Sequence, residues 1–275
     1  MTPPDKPPVL RFEDVTVAFD GVPAISDISF QAVEGESRVI LGAAGSGKTV
    51  LLKAAMGLVR PDSGKVFVFG KDITTLRERE LFEVRSRIGM LFQESALFDS
   101  LTIEENVAYP LLNQRSIRFP KNQVHQRVEE ALDFVELGGT LEKMPSELSG
   151  GMRRRAAIAR AVVTDPALLL YDSPTAGLDP ITAHTIIALI VKERDLNKTT
   201  TLMVTHRYQD GNLIANFRYN SNQGVLEPAR NGNTREARTT FMVLREGRLV
   251  FEGSQDRLEA SQDPYVCKFV KPREK

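Results

Sequence analysis

The sequence predicts an α/β fold, and three observations carry that reading. A strand at 37–41 runs through a glycine-rich loop into an apolar helix that begins at Thr49. Apolar runs at 88–92, 167–171 and 201–204 have the length of buried core strands. Between them lie stretches with helical spacing, such as 103–112, 124–135 and 183–190. At 275 residues and 41 % apolar content the chain can bury a real core, as one large domain or two small ones. Thirty-six basic and thirty-six acidic residues cancel, which argues against broad binding of nucleic acid through its phosphates. A single cysteine, Cys267, excludes an internal disulfide and fits a reducing compartment. The longest apolar run, 186–191, falls far short of the roughly 20 residues that span a bilayer. Residues 1–8 are proline-rich and have no secretory pattern; they read as a short disordered tail before one domain at 9–275.

The first strand and helix frame Leu41-Gly42-Ala43-Ala44-Gly45-Ser46-Gly47-Lys48-Thr49, a glycine, four residues and then Gly-Lys-Thr. Unpaired N–H groups at the helix start, aided by the helix dipole, can cradle phosphates because the glycines let the main chain come close. Lys48 then pairs with the β- and γ-phosphates of a nucleoside triphosphate, and the Thr49 hydroxyl ligates Mg2+.

In chain order, short strands are expected at 9–12 and 15–19, a turn at Asp20-Gly21, and a further strand near 25–30, together forming a small antiparallel sheet beside the core. Phe19 stands at the end of a strand, where an aromatic either fills the core or offers a face for stacking on adenine. Residues 65–69, ending at Gly70, give another strand, and 88–92 delivers Gln93. A helical insertion is expected over about 94–148. Leu148-Ser149-Gly150-Gly151-Met152 then opens a helix whose start is a second anion site in principle, with Arg153, Arg154 and Arg155 as its solvated face. The strand 167–171 ends in Asp172, where a water-bridged magnesium ligand belongs. Gly177-Leu178-Asp179-Pro180 turns into an amphipathic helix, and the strand 201–204 delivers His206. His125 and His184 fall in helical patterns and read as surface residues. The segment 218–238, rich in Asn, Gly and Arg, has neither periodicity and is expected to be flexible. Strands at 241–244 and 248–251, joined at Glu246-Gly247, close the chain as a hairpin.

As an ordered set, these motifs resemble the ATP-binding cassette subunit of an ABC transporter over nearly all of the chain. The phosphate loop is shared by many families; Leu148-Ser149-Gly150-Gly151-Met152 a short helix before Leu168-Leu169-Leu170-Tyr171-Asp172 is specific to this one. The resemblance implies a P-loop NTPase cassette with a RecA-like core, an antiparallel β subdomain and a helical insertion. It also implies ATP and Mg2+ as cofactors and ATP hydrolysis as the activity. Phe19 corresponds to the adenine-stacking aromatic, Gln93 to the glutamine that touches magnesium and senses a membrane partner, and Asp172 to the magnesium aspartate. His206 corresponds to the switch histidine at the γ-phosphate, and Asp179 to the turn aspartate that communicates across a dimer. In the family, Ser149, Gly150 and Gly151 complete the site of the opposite subunit, so two copies sandwich two nucleotides.

A narrower resemblance, to the ATPases of the Mla type, rests on Val84-Arg85-Ser86-Arg87-Ile88-Gly89-Met90-Leu91-Phe92-Gln93, on Ala96-Leu97-Phe98-Asp99 with Asn106-Val107-Ala108-Tyr109-Pro110-Leu111, and on Met144-Pro145-Ser146-Glu147. Neighbouring import families share parts of these stretches. The narrower resemblance implies phospholipid movement between bacterial membranes. The partners it implies are an integral permease, a second copy of the chain and an MCE-domain lipid-binding protein, with no nucleic acid, and the place is the cytoplasmic face of the inner membrane. Closure would push on the permease through a groove between Gln93 and the helical insertion.

The main departure is Ser173, which stands where the family has a glutamate that polarises the attacking water. A serine is no carboxylate base, and a positioned base contributes about 10² to 10⁴ in rate, so slow hydrolysis is expected. A hydrolysis-impaired regulatory clamp is therefore a rival reading. A soluble cassette ATPase of DNA repair or translation is disfavoured by the single cassette, the lack of a long heptad insertion and the balanced charge. Smaller departures are Ala43-Ala44 within the phosphate loop, where the family more commonly has Pro-Ser or Pro-Asn, Arg207 in place of an aspartate after His206, and the length of the 218–238 excursion.

Overall fold

The computed structural model describes residues 8–114, 119–229 and 239–270. The chain opens with β1 (Pro8–Phe19), β2 (Val22–Val33) and β3 (Ser37–Gly42), and β3 passes through the phosphate loop into α1 (Lys48–Ala55). There follow β4 (Ser63–Val68), β5 (Lys71–Asp72), α2 (Glu78–Arg85), β6 (Ile88–Leu91) and then the helical insertion, with α3 (Ile103–Asn113) and α4 (Val124–Phe134). The second half runs α5 (Gly150–Val162), β7 (Leu168–Asp172), α6 (Pro180–Asn197), β8 (Thr200–Thr205) and α7 (Tyr208–Asn216). It ends with β9 (Phe217–Asn220), β10 (Val225–Pro228), β11 (Thr239–Arg245), β12 (Arg248–Gly253), α8 (Gln255–Glu259) and α9 (Pro264–Val270).

The central sheet has the order β12-β11-β3-β8-β7-β6, parallel throughout except for the antiparallel edge strand β12. A parallel sheet must be covered on both faces, and the period-two alternation of its strands does this residue by residue. Val39, Leu41, Leu169, Tyr171 and Met203 point into one core with α5, α6 and the helical insertion. Ile40, Leu168, Leu170, Leu202 and Val204 point into another, shared with α1 and the antiparallel sheet β2-β1-β4-β5. The expected α/β class, antiparallel subdomain and helical insertion are all present.

Helix starts follow their capping residues. Thr102 accepts from Glu105 N (3.2 Å) while Glu105 Oε2 accepts from Thr102 N (2.8 Å), a capping box that fixes α3. Asp179 caps α6 through Ile181 N and Thr182 N, both at 3.0 Å, with Pro180 at the first helical position.

Three local expectations change. The strands expected at 9–12 and 15–19 are one strand, β1, bent at a bulge where Asp14 has φ 48° and the pairing with β2 shifts between Phe12 and Val15. Pro8, assigned by sequence to a disordered tail, already pairs with Val33; residues 1–7 lie outside the described residues. Within the segment expected to be a flexible excursion, β9 and β10 form an antiparallel hairpin, while 230–238 lie outside the described residues. The hairpin holds because α6 supplies its partners: Arg194 donates to Phe217 O (2.8 Å) and Asp195 accepts from Tyr219 N (2.8 Å). Strands of four residues with Asn and Gly at the turn carry too short a pattern to be read locally.

Gly89 of β6 lies so close to α5 that a Cβ there would sit 2.1 Å from Ala161 O and 2.6 Å from a Leu169 methyl. Gly89→Ala is therefore expected to destabilise the fold by about 1–3 kcal/mol through overpacking. Thermal unfolding checks this: a lowered midpoint is expected, and an unchanged one would mean that β6 and α5 separate freely.

Candidate functional site

The parallel order β3-β8-β7-β6 places four sequence-predicted features at one edge, because each follows the carboxyl end of its strand. These are the phosphate loop after β3, His206 after β8, Asp172 at the end of β7 and Gln93 after β6.

The loop owes its shape to glycine. Gly47, at φ 96°, is pressed against β2, where a Cβ would lie 2.3 Å from Ala24 O. At Gly42 a Cβ would lie 2.5 Å from Ser46 Oγ and 2.8 Å from Leu244 O. Both ends of the loop are thus fixed by contacts no other residue allows. Helix α1 has no capping side chain and no acidic residue in its first turn, so its leading N–H groups and dipole can receive an anion. Ala43, Ala44 and Gly45 are exposed. Lys48 Nζ folds over the loop and donates to Gly42 O (2.9 Å), Ala43 O (2.7 Å) and Ser46 Oγ (3.3 Å). Burial lowers the Lys48 pKa, and the charge of Asp172 works against that shift.

Thr49 Oγ1 donates to Asp172 Oδ2 at 2.7 Å. Hydroxyl and carboxylate oxygens brought together in this way suit a hard divalent cation bound beside phosphates, so the donor set fits Mg2+. Asp172 is 3 % exposed, and its other oxygen accepts from Ser173 Oγ at 3.2 Å. Ser173 has φ 48°, and its N–H donates to Val204 O at 2.8 Å.

The remaining predicted residues divide by exposure. The Gln93 and His206 side chains are exposed at the strand edge. Phe19 is 50 % exposed at the tip of the β1–β2 hairpin, the strand pair that also touches Gly47; it is not a core residue, and its face is free to stack. Ser149 caps α5, its Oγ accepting from Met152 N (3.2 Å), and Gly150 is exposed with nothing within 4 Å of a Cβ position. Gly151 is not open: a Cβ there would lie 2.6 Å from a Thr182 methyl. Asp179 is exposed, and its hydrogen bonds from Thr182 hold its carboxyl below the ordinary carboxylate value.

Arg153, Arg154 and Arg155 do not form one solvated face. Arg153 is exposed, but Arg154 is 6 % exposed and donates to Phe92 O (3.0 Å), Gln93 O and Ala176 O (3.4 Å). Its burial lowers its pKa, with Asp172 and Glu94 favouring the charged form. Arg155 turns back to Val135 O (3.2 Å) and Glu136 O (3.0 Å). Helical spacing alone separates exposed from buried positions only when the neighbours are known.

Two further residues went unread in the sequence. Tyr265 of α9 accepts from Ala43 N (3.4 Å) and donates to Leu244 O (3.2 Å), tying the far end of the chain to the phosphate loop. Asp210 of α7 accepts from Thr175 Oγ1 (2.7 Å) and Thr205 Oγ1 (2.8 Å), which joins the end of β8 to the turn after Ser173. An apolar groove of about 490 Å³ lies between α2, β6, α3 and α5, lined by Phe82, Phe92, Phe98, Tyr109 and Arg160. Among the described residues no helix is long and apolar enough to cross a membrane.

Residues 25–176 match the ABC transporter family. The chain is 36 % identical over 245 residues to the intermembrane phospholipid transport system ATP-binding protein MlaF of Haemophilus influenzae, covering 89 % of this chain and 83 % of that one. It is 35 % identical over 264 residues to the probable ribonucleotide transport ATP-binding protein mkl of Mycobacterium tuberculosis, covering 96 % of this chain and 67 % of that one. It is 42 % identical over 204 residues to the methionine import ATP-binding protein MetN of Mesorhizobium japonicum, covering 73 % of this chain and 54 % of that one. Among solved structures, a dimeric ATP-binding cassette in a post-hydrolysis state, bound to ADP and Pi, superposes with a TM-score of 0.74 at 27 % identity, covering 89 % of this chain and 98 % of that one. A Clostridium perfringens protein that is part of the ABC transporter complex cbiONQ gives 0.75 at 26 % identity, covering 97 % of this chain and 95 % of that one.

Burial raises the Asp210 pKa, against the opposing hydrogen bonds of Thr175 and Thr205 and the nearby charges of Arg207 and His206. The folded state therefore holds a proton that the unfolded chain releases, so this contribution is complete below the ordinary carboxylate value and is lost as pH rises through the raised one. Melting curves of the native chain and Asp210→Asn against pH check the sign. The stability advantage of the native chain is expected to shrink as pH rises through that window, and a gap that widens would contradict it.

Proposed function

Because the chain belongs to the ABC transporter family as an ATP-binding subunit, we propose that it energises phospholipid movement between bacterial membranes by ATP-driven pairing of two copies. The observation that carries the nucleotide site is the hydrogen bond from Thr49 to Asp172, which seats the phosphate loop beside the strand-end carboxylate. The choice of lipid over other cargo is supported by the identity to the phospholipid transport relative across most of both chains. The ribonucleotide and methionine relatives set import of another substrate as the competing cargo.

In this reading Phe19 stacks on adenine, and the main chain from Gly42 to Gly47 and Lys48 hold the phosphates. Thr49, Asp172 and Gln93 would hold Mg2+, which when bound would offset the negative charge that builds on the transferring phosphate group. Ser149, Gly150 and Gly151 of a second copy close the site from the other side; the exposure of Ser149 and Gly150 leaves them free to do so. Lys48 and the phosphate-loop N–H groups stabilise the transferring group by position and charge rather than by covalent chemistry. The apolar groove takes an integral permease on the cytoplasmic face of the inner membrane, and an MCE-domain protein completes the assembly.

Ser173 favours a second reading, a clamp that binds ATP and closes with little turnover. The serine hydroxyl donates to Asp172 and carries no base at the position where the family glutamate polarises water. We assign the water to His206 instead. Single-turnover ATP hydrolysis, with nucleotide binding measured alongside, tests this. The native protein is expected to bind ATP and turn over slowly. His206→Ala is expected to lower the rate by about 10²-fold or more, and Ser173→Glu to raise it by a comparable factor, both at nearly unchanged affinity. An ordinary native rate to which glutamate adds little would place water activation elsewhere, while negligible turnover rescued by glutamate would select the clamp. Copurification with an integral membrane protein supports the transporter assignment, and persistent recovery with ribosomes or DNA would sink it.

A further inference from the structure

The loop that carries Gln93 is bent through two successive non-glycine residues in the left-handed region, Ser95 at φ 67° and Ala96 at φ 49°. Such a conformation persists only where the surroundings over-determine it. Here helix α5 supplies the constraint. Arg160 donates through Nη1 to Ala96 O (2.8 Å) and through Nη2 to Ser95 O (2.9 Å), one fork holding both strained carbonyls. Six residues earlier, Arg154 holds the other end of the same loop through Phe92 O (3.0 Å) and Gln93 O, and its second amino group reaches Ala176 O (3.4 Å). Arg154 is 6 % exposed, and its Nε is buried without a hydrogen-bond partner. A buried guanidinium that leaves a donor unsatisfied is costly, and hydrophobic packing alone would be served better by an apolar side chain. Both arginines direct their donors to main-chain carbonyls, so what they fix is backbone geometry.

We infer that Arg154 and Arg160 are positioning residues that clamp the Gln93 loop to α5, and that Arg154 joins to the same unit the turn running from Ala176 to Asp179. The helix whose cap is Ser149, the loop that presents Gln93 and the turn that presents Asp179 then shift together. Gln93 and Ser149, which the proposed function assigns to magnesium and to the partner copy's nucleotide, are thereby held in one frame with Asp179, for which the family resemblance implies cross-dimer contact. This rests on the nucleotide site proposed above.

Hydrogen–deuterium exchange on the full-length chain tests the clamp directly, and titration of a fluorescent ATP analogue with and without Mg2+ tests its coupling to the site. In Arg154→Gln and Arg160→Lys, exchange at residues 93–98 is expected to rise about tenfold, because each variant keeps at most part of the donor set. Arg154→Gln is also expected to raise exchange at 176–178, which Arg160→Lys leaves unchanged. Analogue affinity without Mg2+ is expected to stay within about twofold, while the gain in affinity from Mg2+ falls by about tenfold, as for residues that orient a metal ligand. Should Arg154→Gln unfold, Arg160→Lys carries the test. Unchanged exchange at 93–98 in a folded variant overturns the clamp, and equal losses of affinity with and without Mg2+ overturn its link to Gln93. A native chain that binds no analogue would refute the nucleotide site instead, and the exchange measurement would still decide the clamp.

Discussion

The hydrogen bond between Thr49 and Asp172 is the constraint on which the rest of the site depends. It joins groups that follow β3 and β7, strands that are not neighbours because β8 runs between them. The bond forms only if α1 crosses the face of the sheet at the right height, and that height is set by packing. Leu51, Leu52, Ala54 and Ala55 are buried against the sheet face that also carries Ile40, Leu170 and Val204. At the other end of the helix, Gly47 is wedged against Ala24 of the antiparallel sheet. A nearly fully buried carboxylate is costly unless its oxygens are satisfied, and Thr49 and Ser173 satisfy one oxygen each. Core packing and polar satisfaction thus select the same geometry, which is what lets the phosphate loop stand ready for an anion.

Reading the chain residue by residue recovered features whose cause is local. The phosphate loop is legible because strand, glycines, lysine and helix are consecutive. The common sheet edge of Gln93, Asp172 and His206 was legible because each lies at or just after the end of a continuous apolar run, and a parallel sheet brings such ends to one edge. What escaped depends on partners far along the chain. Arg154 looks like a surface residue until Phe92 and Gln93, some sixty positions earlier, offer their carbonyls. Tyr265 looks like part of a terminal helix until it meets Ala43. The β9–β10 hairpin is held by Arg194 and Asp195 of α6 rather than by a pattern of its own. The bulge in β1 is likewise invisible in its own residues, because it matches Gly64 across the sheet, where a Cβ would lie 2.3 Å from Asp14 O.

The departures from the family pattern differ in what they touch. Ala43 leaves a main-chain N–H at the start of the phosphate loop that a proline would lack, and the Tyr265 hydroxyl accepts it. That change is absorbed by packing from α9 and leaves the loop's other donors in place. Arg207, where the family usually has an aspartate, lies 3.7 Å from the carboxylate of Asp210, so a negative charge is still supplied close to the end of β8, from one turn further on. Both substitutions keep the shape of the site and move the source of one interaction.

Ser173 is of another kind, because its side chain meets the strand-end carboxylate of Asp172 rather than the phosphate loop. The main chain there is fixed by the bond from its own N–H to Val204 O and by its left-handed φ, neither of which depends on what the side chain carries beyond Cβ. The backbone at this position can thus carry either side chain, while the hydrogen bond that its hydroxyl gives Asp172 is the contact a carboxylate there would replace. In the proposed mechanism the phosphate loop, Lys48, magnesium and the second copy's Ser149 region bind ATP, and none of these contacts runs through residue 173. Binding and closure are therefore separable from turnover at this one residue. In the proposed function, where closure does mechanical work on a membrane partner, a site without that base would reset slowly while sparing the stroke, and the cassette would dwell longer in its closed state.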